Sequence, residues 1–438
     1  MKRKFSPDRP LKVAVAGLGF VGRESARLLW FRRADYASRG AYIRLVAVCD
    51  RKASSKAQTL GLPKSVRRLS DYRELTRDPD IDVVVELFGG LPHAKRLVLD
   101  SLAAGKDVVS ANKLLISTRY DEIRRAAGKA QRRVFFEAAV AGGIPILQSL
   151  REGLAANEIT SAYGIFNGTT NYILSQMAHN GCEMLEALKE AQRLGMAEKD
   201  PTMDLNGSDT MHKVSIIASI LTGRWIPPSK VSRIGIEHIE GEDIRYAINR
   251  LGHTVRLIGT VAVRGTAKAP FVEAHVQPTL IPFDHPLAAV HGGYNAVLVQ
   301  TSEAEDLMFY GKGAGPGPAA SAVVGDVLAL SRPSEEPAAF AKRSGEKTRY
   351  ALECDAPYYL KLRVNDVPGA LSKITGALGR HGISISEINQ PGQKSSGWAV
   401  PVMITTHATS RHKIDAARKE ITRLSAVSSR HSCLRFLP

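Results

Sequence analysis

Gly17-Leu-Gly-Phe-Val-Gly22 restricts the possible folds of this chain more than any other stretch. It follows the apolar run Leu11–Ala16, which reads as a buried strand, and opens a helical pattern over Val21–Arg33. Glycines there permit a tight turn, close approach of backbone N–H groups to a pyrophosphate, and close packing of helix on strand. In that strand–turn–helix setting the motif predicts a dinucleotide-binding unit in which Gly17, Gly19, Phe20, Val21 and Gly22 form the phosphate turn. A second strand, Leu45–Cys49, ends at Asp50-Arg51-Lys52. Asp50 suits a ribose diol and therefore NAD, whereas Arg51 and Lys52 suit a 2′-phosphate and therefore NADP. The sequence carries both signals.

The alternation continues with strands at Val83–Leu87, Val108–Ser110 and Val134–Glu137 and a helix over Pro92–Ala104. Val-rich strands alternating with helices predict an α/β domain over 1–150, built on a parallel sheet covered on both faces. Over 151–310, helices such as Asn171–His179 and Glu183–Leu194 mix with strands such as Thr254–Val263 and Val272–Pro278, which predicts an α+β domain. Glycine and proline concentrate in 311–318, ahead of a small-residue helix over Ala319–Leu330. Composition from Ser331 to Lys347 is that of a linker, taken as 336–356. In 357–438 the order is strand Tyr358–Val364, helix Ala370–His381, strands Ile383–Asn389 and Trp398–Thr405, helix His412–Leu424 and strand Ser432–Leu437. That is the β-α-β-β-α-β, ferredoxin-like pattern.

A chain of 438 residues is too long for one average core, in keeping with several domains. The net charge of +17 raises the question of nucleic acid, but the basic residues are scattered in pairs such as Arg67-Arg68 and Arg132-Arg133. No long basic block is interleaved with aromatics, so a nucleic-acid partner is not expected. Cys49, Cys182, Cys354 and Cys433 lie far apart without zinc-type spacing, which fits reduced thiols in a cytoplasmic protein. No apolar run is long enough to predict a membrane span.

Four further stretches carry chemistry. Val108-Val-Ser-Ala-Asn-Lys113 puts Asn112 and Lys113 just past the C-terminal end of a strand, where ligands bind in open α/β sheets. Phe136-Glu-Ala-Ala-Val-Ala-Gly-Gly-Ile-Pro145 sets Glu137 among small residues, where a carboxylate and nearby carbonyls can hold a hard cation or the glycines can form a hinge. Gly168-Thr-Thr-Asn-Tyr172 reads as a capped helix start whose hydroxyl-rich edge, Thr169 included, suits a substrate site. Gly195 to Lys213 packs Glu198, Asp200, Asp204, Asp209 and Lys213 into a polar run leading into an apolar helix. Asp209 and Lys213 are four apart and share a helix face, so a carboxylate and an amine stand together.

Together, GLGFVG, ELFGG, SANK, EAAVAGGIP, IFNGTTNYIL, AEKDPTMDLNGSDTMHK and GAGPGPAASAVVGD resemble, in order, the motifs of monofunctional homoserine dehydrogenases with a C-terminal ACT domain. The resemblance covers about 10–335, with an ACT-like pattern over 357–438. It implies interconversion of L-homoserine and L-aspartate 4-semialdehyde with NADP or NAD, on the way to threonine and methionine. It puts proton transfer on Lys213 and a second active-site lysine at Lys113. The substrate-binding carboxylates fall on Glu198 and Asp209, and a sodium-type site on Glu137 with the carbonyls of Val140, Gly142 and Ile144. It further implies that Gly313 and Gly315 return the chain to the cofactor domain, with about 311–335 completing that domain. The middle domain would serve substrate binding and dimerisation, the ACT domain would either take threonine as effector or only mediate association, and the chain would form a homodimer or a higher homo-oligomer. Three details depart from the pattern: Met196 sits where the family often has an aromatic residue, Lys199 adds a positive charge beside Glu198, and Pro92-His93 sits where cofactor-side loop residues are expected.

Overall fold

The computed structural model describes residues 5–265, 270–332, 349–350, 354–391 and 399–437. The chain divides into two compact units. The first joins Met1–Thr160, His212–Lys230 and Asn295–Glu346; the second joins Ser161–Met211, Val231–Tyr294 and Lys347–Pro438.

In the first unit, strands β1 (Leu11–Ala16), β2 (Ile43–Cys49), β3 (Arg67–Leu69), β4 (Val83–Glu86), β5 (Asp107–Ser110) and β6 (Val134–Phe135) form one sheet in the order β3-β2-β1-β4-β5-β6. Every pairing is parallel. Alternation along β1 sorts its side chains by face. Val13 and Val15 pack with Ala26 and Leu29 of the Phe20–Phe31 helix and with Val323 and Val327 of the Pro316–Ser331 helix. Ala14 and Ala16 meet Leu75 and Leu97 on the other face, where small residues let the Tyr72–Arg77 and Pro92–Ala103 helices come close. This is a Rossmann-type sheet with both faces buried.

The expected strand Val134–Glu137 stops two residues early. The Glu137 N–H donates to Asp326 Oδ2 at 2.9 Å instead of continuing the ladder, and Glu137–Ala139 forms a short 3₁₀ turn. The sequence reading names no strands at Tyr294–Thr301 and Asp306–Lys312, which lie beside each other in a sheet.

The second unit contains a mixed sheet. Strands His253–Gly265 and Pro270–Pro282 pair antiparallel along their whole length, and Ile159–Ile165 adds to the first of them. Residues 427–436 run parallel to the Pro270–Pro282 strand, with Thr279 opposite Arg435 and Leu280 opposite Phe436. The sheet then continues through Tyr358–Val364, Val400–Thr406 and Ile385–Asn389, the strand order of a ferredoxin-like ACT domain. Ile374, Ala377, Ile414, Ala417 and Ile421 of its two helices, Ala370–Arg380 and Arg411–Ile421, cover Tyr358, Leu360, Leu362, Val402 and Ile404.

The opposite face of Tyr358–Val364 carries charge. Lys361, only 3% exposed at its side chain, donates to Glu240 Oε2 at 2.7 Å and to Asp243 Oδ2 at 3.0 Å. Tyr359 and Ser432 hydroxyls donate to Asp243 Oδ1, and Arg363 donates to Glu242. The helix Gly241–Tyr246 is thereby tied to the ACT sheet by a buried ionic network. Most of the expected linker, 336–356, lies outside the described residues, as does Trp398. Within it, Arg349 and Tyr350 pair with Phe271 and Val272. Among the described residues, no helix is long and apolar enough to cross a membrane.

Candidate active site

In the first unit, β1 delivers the glycine turn. The Gly17 N–H donates to the Cys49 carbonyl at 2.8 Å, and φ there is +95°. A Cβ on Gly17 would lie 2.6 Å from the Leu87 carbonyl oxygen, and one on Gly22 would lie 1.8 Å from the Gly17 oxygen. Those two glycines are required by the fold itself. A Cβ on Gly19 meets nothing within 4 Å, so internal packing makes no demand for glycine there. Gly19 N-caps the Phe20–Phe31 helix, and Phe20 stands exposed beside it. This is the geometry of a backbone open to a phosphate.

Asp50, at the end of β2, is already engaged. Its Oδ2 accepts from the Leu18 N–H at 2.9 Å and from Lys56 Nζ at 2.7 Å, and its Oδ1 accepts from the Lys52 N–H at 2.9 Å. Burial pushes its pKa up, but the Lys56 ammonium and the two backbone donors outweigh that and hold it below the usual carboxylate range. Arg51 and Lys52 are exposed next to it.

The loop after β4 is braced from below by a group the sequence reading passed over. Glu86 is fully buried, accepts from Ser110 Oγ at 2.6 Å and from the Phe88 N–H at 2.9 Å, and burial raises its pKa. Asn112 receives the Leu115 N–H on its Oδ1, capping the Lys113–Ala130 helix, and donates its Nδ2 to the Gly90 carbonyl at 2.6 Å. Lys113 is therefore the first residue of a helix whose start is locked to the Gly89-Gly90 turn. The ELFGG and SANK motifs contain this network, but only its contact geometry reveals it.

Lys213 lies on the Ser208–Thr222 helix, one turn beyond Asp209, and the two are 9% and 4% exposed. The neighbouring His212 Nδ1 is hydrogen-bonded to Ser117 Oγ at 2.8 Å, and Trp225 Nε1 donates to the Ser117 carbonyl. Lys113 and Lys213 both belong to the first unit.

Glu137 sits deep in the first unit. Its two carboxylate oxygens accept the Leu147 and Gln148 N–H groups at 2.7 and 2.8 Å. Burial pushes its pKa up to about 7, against those two donors and Arg151. Buried Asp326 beside it is raised as well, by burial and then by Glu137. Ala141 and Gly142 have φ of +54° and +58°, and a Cβ on Gly142 would lie 2.4 Å from the Gly313 oxygen. The 140–144 turn and the 313–315 turn thus pack backbone against backbone. No group of three or more His, Cys, Asp or Glu side chains suited to a metal occurs among the described residues. One carboxylate with backbone carbonyls is a donor set for a hard cation.

The second unit holds the carboxylate-rich part. Asn167 N-caps the Gly168–Asn180 helix, accepting the Thr170 N–H on Oδ1 at 2.8 Å. Its Nδ2 donates to Asp204 Oδ1 at 2.7 Å and to Asp209 Oδ2 at 2.9 Å. Thr169 Oγ1 donates to the Met196 carbonyl at 2.9 Å, linking this helix start to the 195–200 segment. Asn171 Nδ2 holds the carbonyls of Val290, Gly292 and Tyr294. That brings the Gly293 oxygen to 2.8 Å from where a Cβ on Gly168 would stand. Glu198, Lys199 and Met196 are exposed, and Asp200 is occupied with the N–H and hydroxyl of Thr202. Sequence reasoning missed Asn167 and expected a threonine or asparagine cap within 168–172, whereas Asn167 caps the helix and Asn171 binds loop carbonyls instead.

Comparison with known proteins bears on this arrangement. Residues 145–328 match the family model of homoserine dehydrogenase, 17–137 that of the homoserine dehydrogenase NAD-binding domain, and 358–426 that of the ACT domain. The chain is 38% identical to the homoserine dehydrogenase of Neisseria gonorrhoeae over 98% of its own length and 99% of that protein's. It is similar to the crystal structure of a homoserine dehydrogenase from Thiobacillus denitrificans, with a TM-score of 0.89, 38% identity and 98% of each chain covered. A hyperthermophilic archaeal homoserine dehydrogenase solved in complex with NADPH matches at TM-score 0.62 and 26% identity, over 75% of this chain and all of that one. The chain belongs to the homoserine dehydrogenase family and is an NAD(P)-dependent oxidoreductase.

Proposed function

We propose that the chain interconverts L-homoserine and L-aspartate 4-semialdehyde with Lys213 as the proton-transfer group and NADP as the preferred coenzyme. One observation carries the assignment: Asp209 and Lys213 lie one turn apart on a single helix, both buried. Asp209 and Glu198 hold the substrate ammonium, and Thr169 lines the site. The bound nicotinamide supplies or accepts the hydride. As negative charge develops on the aldehyde oxygen, the Lys213 ammonium stabilises it and donates the proton; in the oxidising direction neutral Lys213 takes the proton back. Lys113 is the second cation of the site.

The phosphate turn 17–22, Asp50, Arg51, Lys52, Lys113, Gly313 and Gly315 hold the coenzyme. NADP is favoured because the Asp50 carboxylate is already engaged by Leu18, Lys52 and Lys56, while Arg51 and Lys52 stand exposed beside it. A sodium-type cation is held by Glu137 with the carbonyls of Val140, Gly142 and Ile144. The buried carboxylate with its raised pKa and the two successive left-handed residues support that choice. Threonine binds at the ACT turn 364–371, where Gly369 has φ +83° at the helix start.

The test is an assay of homoserine-dependent reduction of NADP and of NAD by the full-length protein. Reduction of neither coenzyme sinks the reading. Threonine added at saturation lowers the rate if the ACT turn is an effector site, and an unchanged rate removes that part alone.

A further inference from the structure

The proposed substrate site includes the Asp209 carboxylate, and one neutral side chain bridges it to the carboxylate of Asp204. Asn167 is 5% exposed and has no freedom to flip. Its Oδ1 accepts the Thr170 N–H, so exchanging the amide atoms would point an NH₂ at that donor and an oxygen at two carboxylates. The orientation is therefore fixed, with one N–H directed at Asp204 Oδ1 (2.7 Å) and the other at Asp209 Oδ2 (2.9 Å). Two acceptors on one planar NH₂ group stand about 5 Å from each other. Two carboxylates that close repel each other, and the two N–H groups of the amide offset that repulsion.

We infer that Asn167 is a positioning residue: its amide sets the separation of Asp204 and Asp209 and fixes both to the first turn of the helix that carries Thr169. Three sequence segments meet at this one side chain: the start of the Gly168–Asn180 helix, the Thr202–Leu205 turn and the start of the Ser208–Thr222 helix. Asn167 touches no reacting atom in this scheme. It acts by holding Asp209 ready for the substrate ammonium, with Asp204 fixed beside it, so that binding does not have to place that carboxylate. The inference rests on the dehydrogenase reading and adds a determinant of amino-acid recognition to it.

Asn167 also caps a helix, so the test must separate capping from bridging. Asn167→Ser keeps an oxygen that accepts from the first turn, since serine is a good N-cap, but it lacks the two-pronged donor. Asn167→Asp keeps the cap acceptor and adds a third negative charge. Steady-state kinetics are measured for both variants, varying homoserine and NADP separately, together with thermal melting. The expected result is a rise in the homoserine KM of at least about tenfold in the serine variant and more in the aspartate variant. The NADP KM stays within about twofold and the melting temperature of Asn167→Ser stays near wild type. An unchanged homoserine KM would overturn the inference. So would parallel losses in both KM values with a large fall in melting temperature, or failure of both variants to fold, because either assigns the amide to holding the fold alone. Wild-type protein that does not turn over homoserine strikes the dehydrogenase reading instead, which keeps the two failures distinct.

Discussion

Asp50 shows how much a single contact decides. From sequence, an acid at the end of the second strand argued for NAD as well as Arg51 and Lys52 argued for NADP. In the folded chain that acid is engaged by Leu18, Lys52 and Lys56, which supports the proposed preference for NADP. Replacing Arg51 and Lys52 together by alanine raises the NADP KM about tenfold, roughly 1.4 kcal/mol, and leaves the NAD KM nearly unchanged. Equal effects on both coenzymes would contradict this. Glu137 makes a second residue-scale prediction. Its folded pKa of about 7 lies above its ordinary value of 4.5, so its contribution to stability is complete below about pH 4.5 and is lost as pH rises through 7. A cation beside the ionised carboxylate offsets that loss. Replacing choline by sodium at constant ionic strength therefore raises the melting temperature more at pH 8 than at pH 5, and Glu137→Gln removes the difference. A sodium effect independent of pH or of Glu137 counts against the site. These residues also mark the limit of sequence reading: the side-chain types were legible, but their partners were not. Glu86, Asn167 and Asn171 act through contacts with residues 24 to 123 positions away, or with backbone groups that carry no sequence signal.

At the scale of elements, legibility followed periodicity. The run Leu11–Ala16 was placed to the residue because a buried strand opening into a glycine turn has few alternatives. Tyr358–Val364 was likewise placed, but the meaning of its alternation was not. Lys361 and Arg363 meet Glu240, Glu242 and Asp243 more than a hundred residues away in the chain, partners that strand periodicity does not name. Strands Tyr294–Thr301 and Asp306–Lys312 escaped because short apolar runs near glycine-rich turns fit several elements equally well. The ionic network makes its own prediction. Lys361→Ala leaves buried Asp243 without its cation, while Arg363 still meets Glu240 and Glu242, so chemical denaturation should show a loss of about 3–5 kcal/mol. A loss under about 1 kcal/mol, the range of a solvated pair, would mean that the network contributes little.

At the scale of the whole molecule, each of the two compact units carries its own chemistry. The first unit supplies a parallel sheet with a phosphate-type glycine turn and both candidate lysines. The second supplies the amide-bridged carboxylates and the ACT sheet, joined to the Pro270–Pro282 strand by backbone pairing and to the Gly241–Tyr246 helix by buried charge. Family membership fixes the reaction class, and Lys213 is the group on which the proposed chemistry turns. The most direct measurement is the homoserine-dependent rate of Lys213→Ala beside wild type, with coenzyme binding and thermal melting as controls. A fall in kcat of about 10²–10⁴-fold, with coenzyme affinity and fold retained, is the predicted result. A Lys213→Ala protein that keeps the full rate would contradict it.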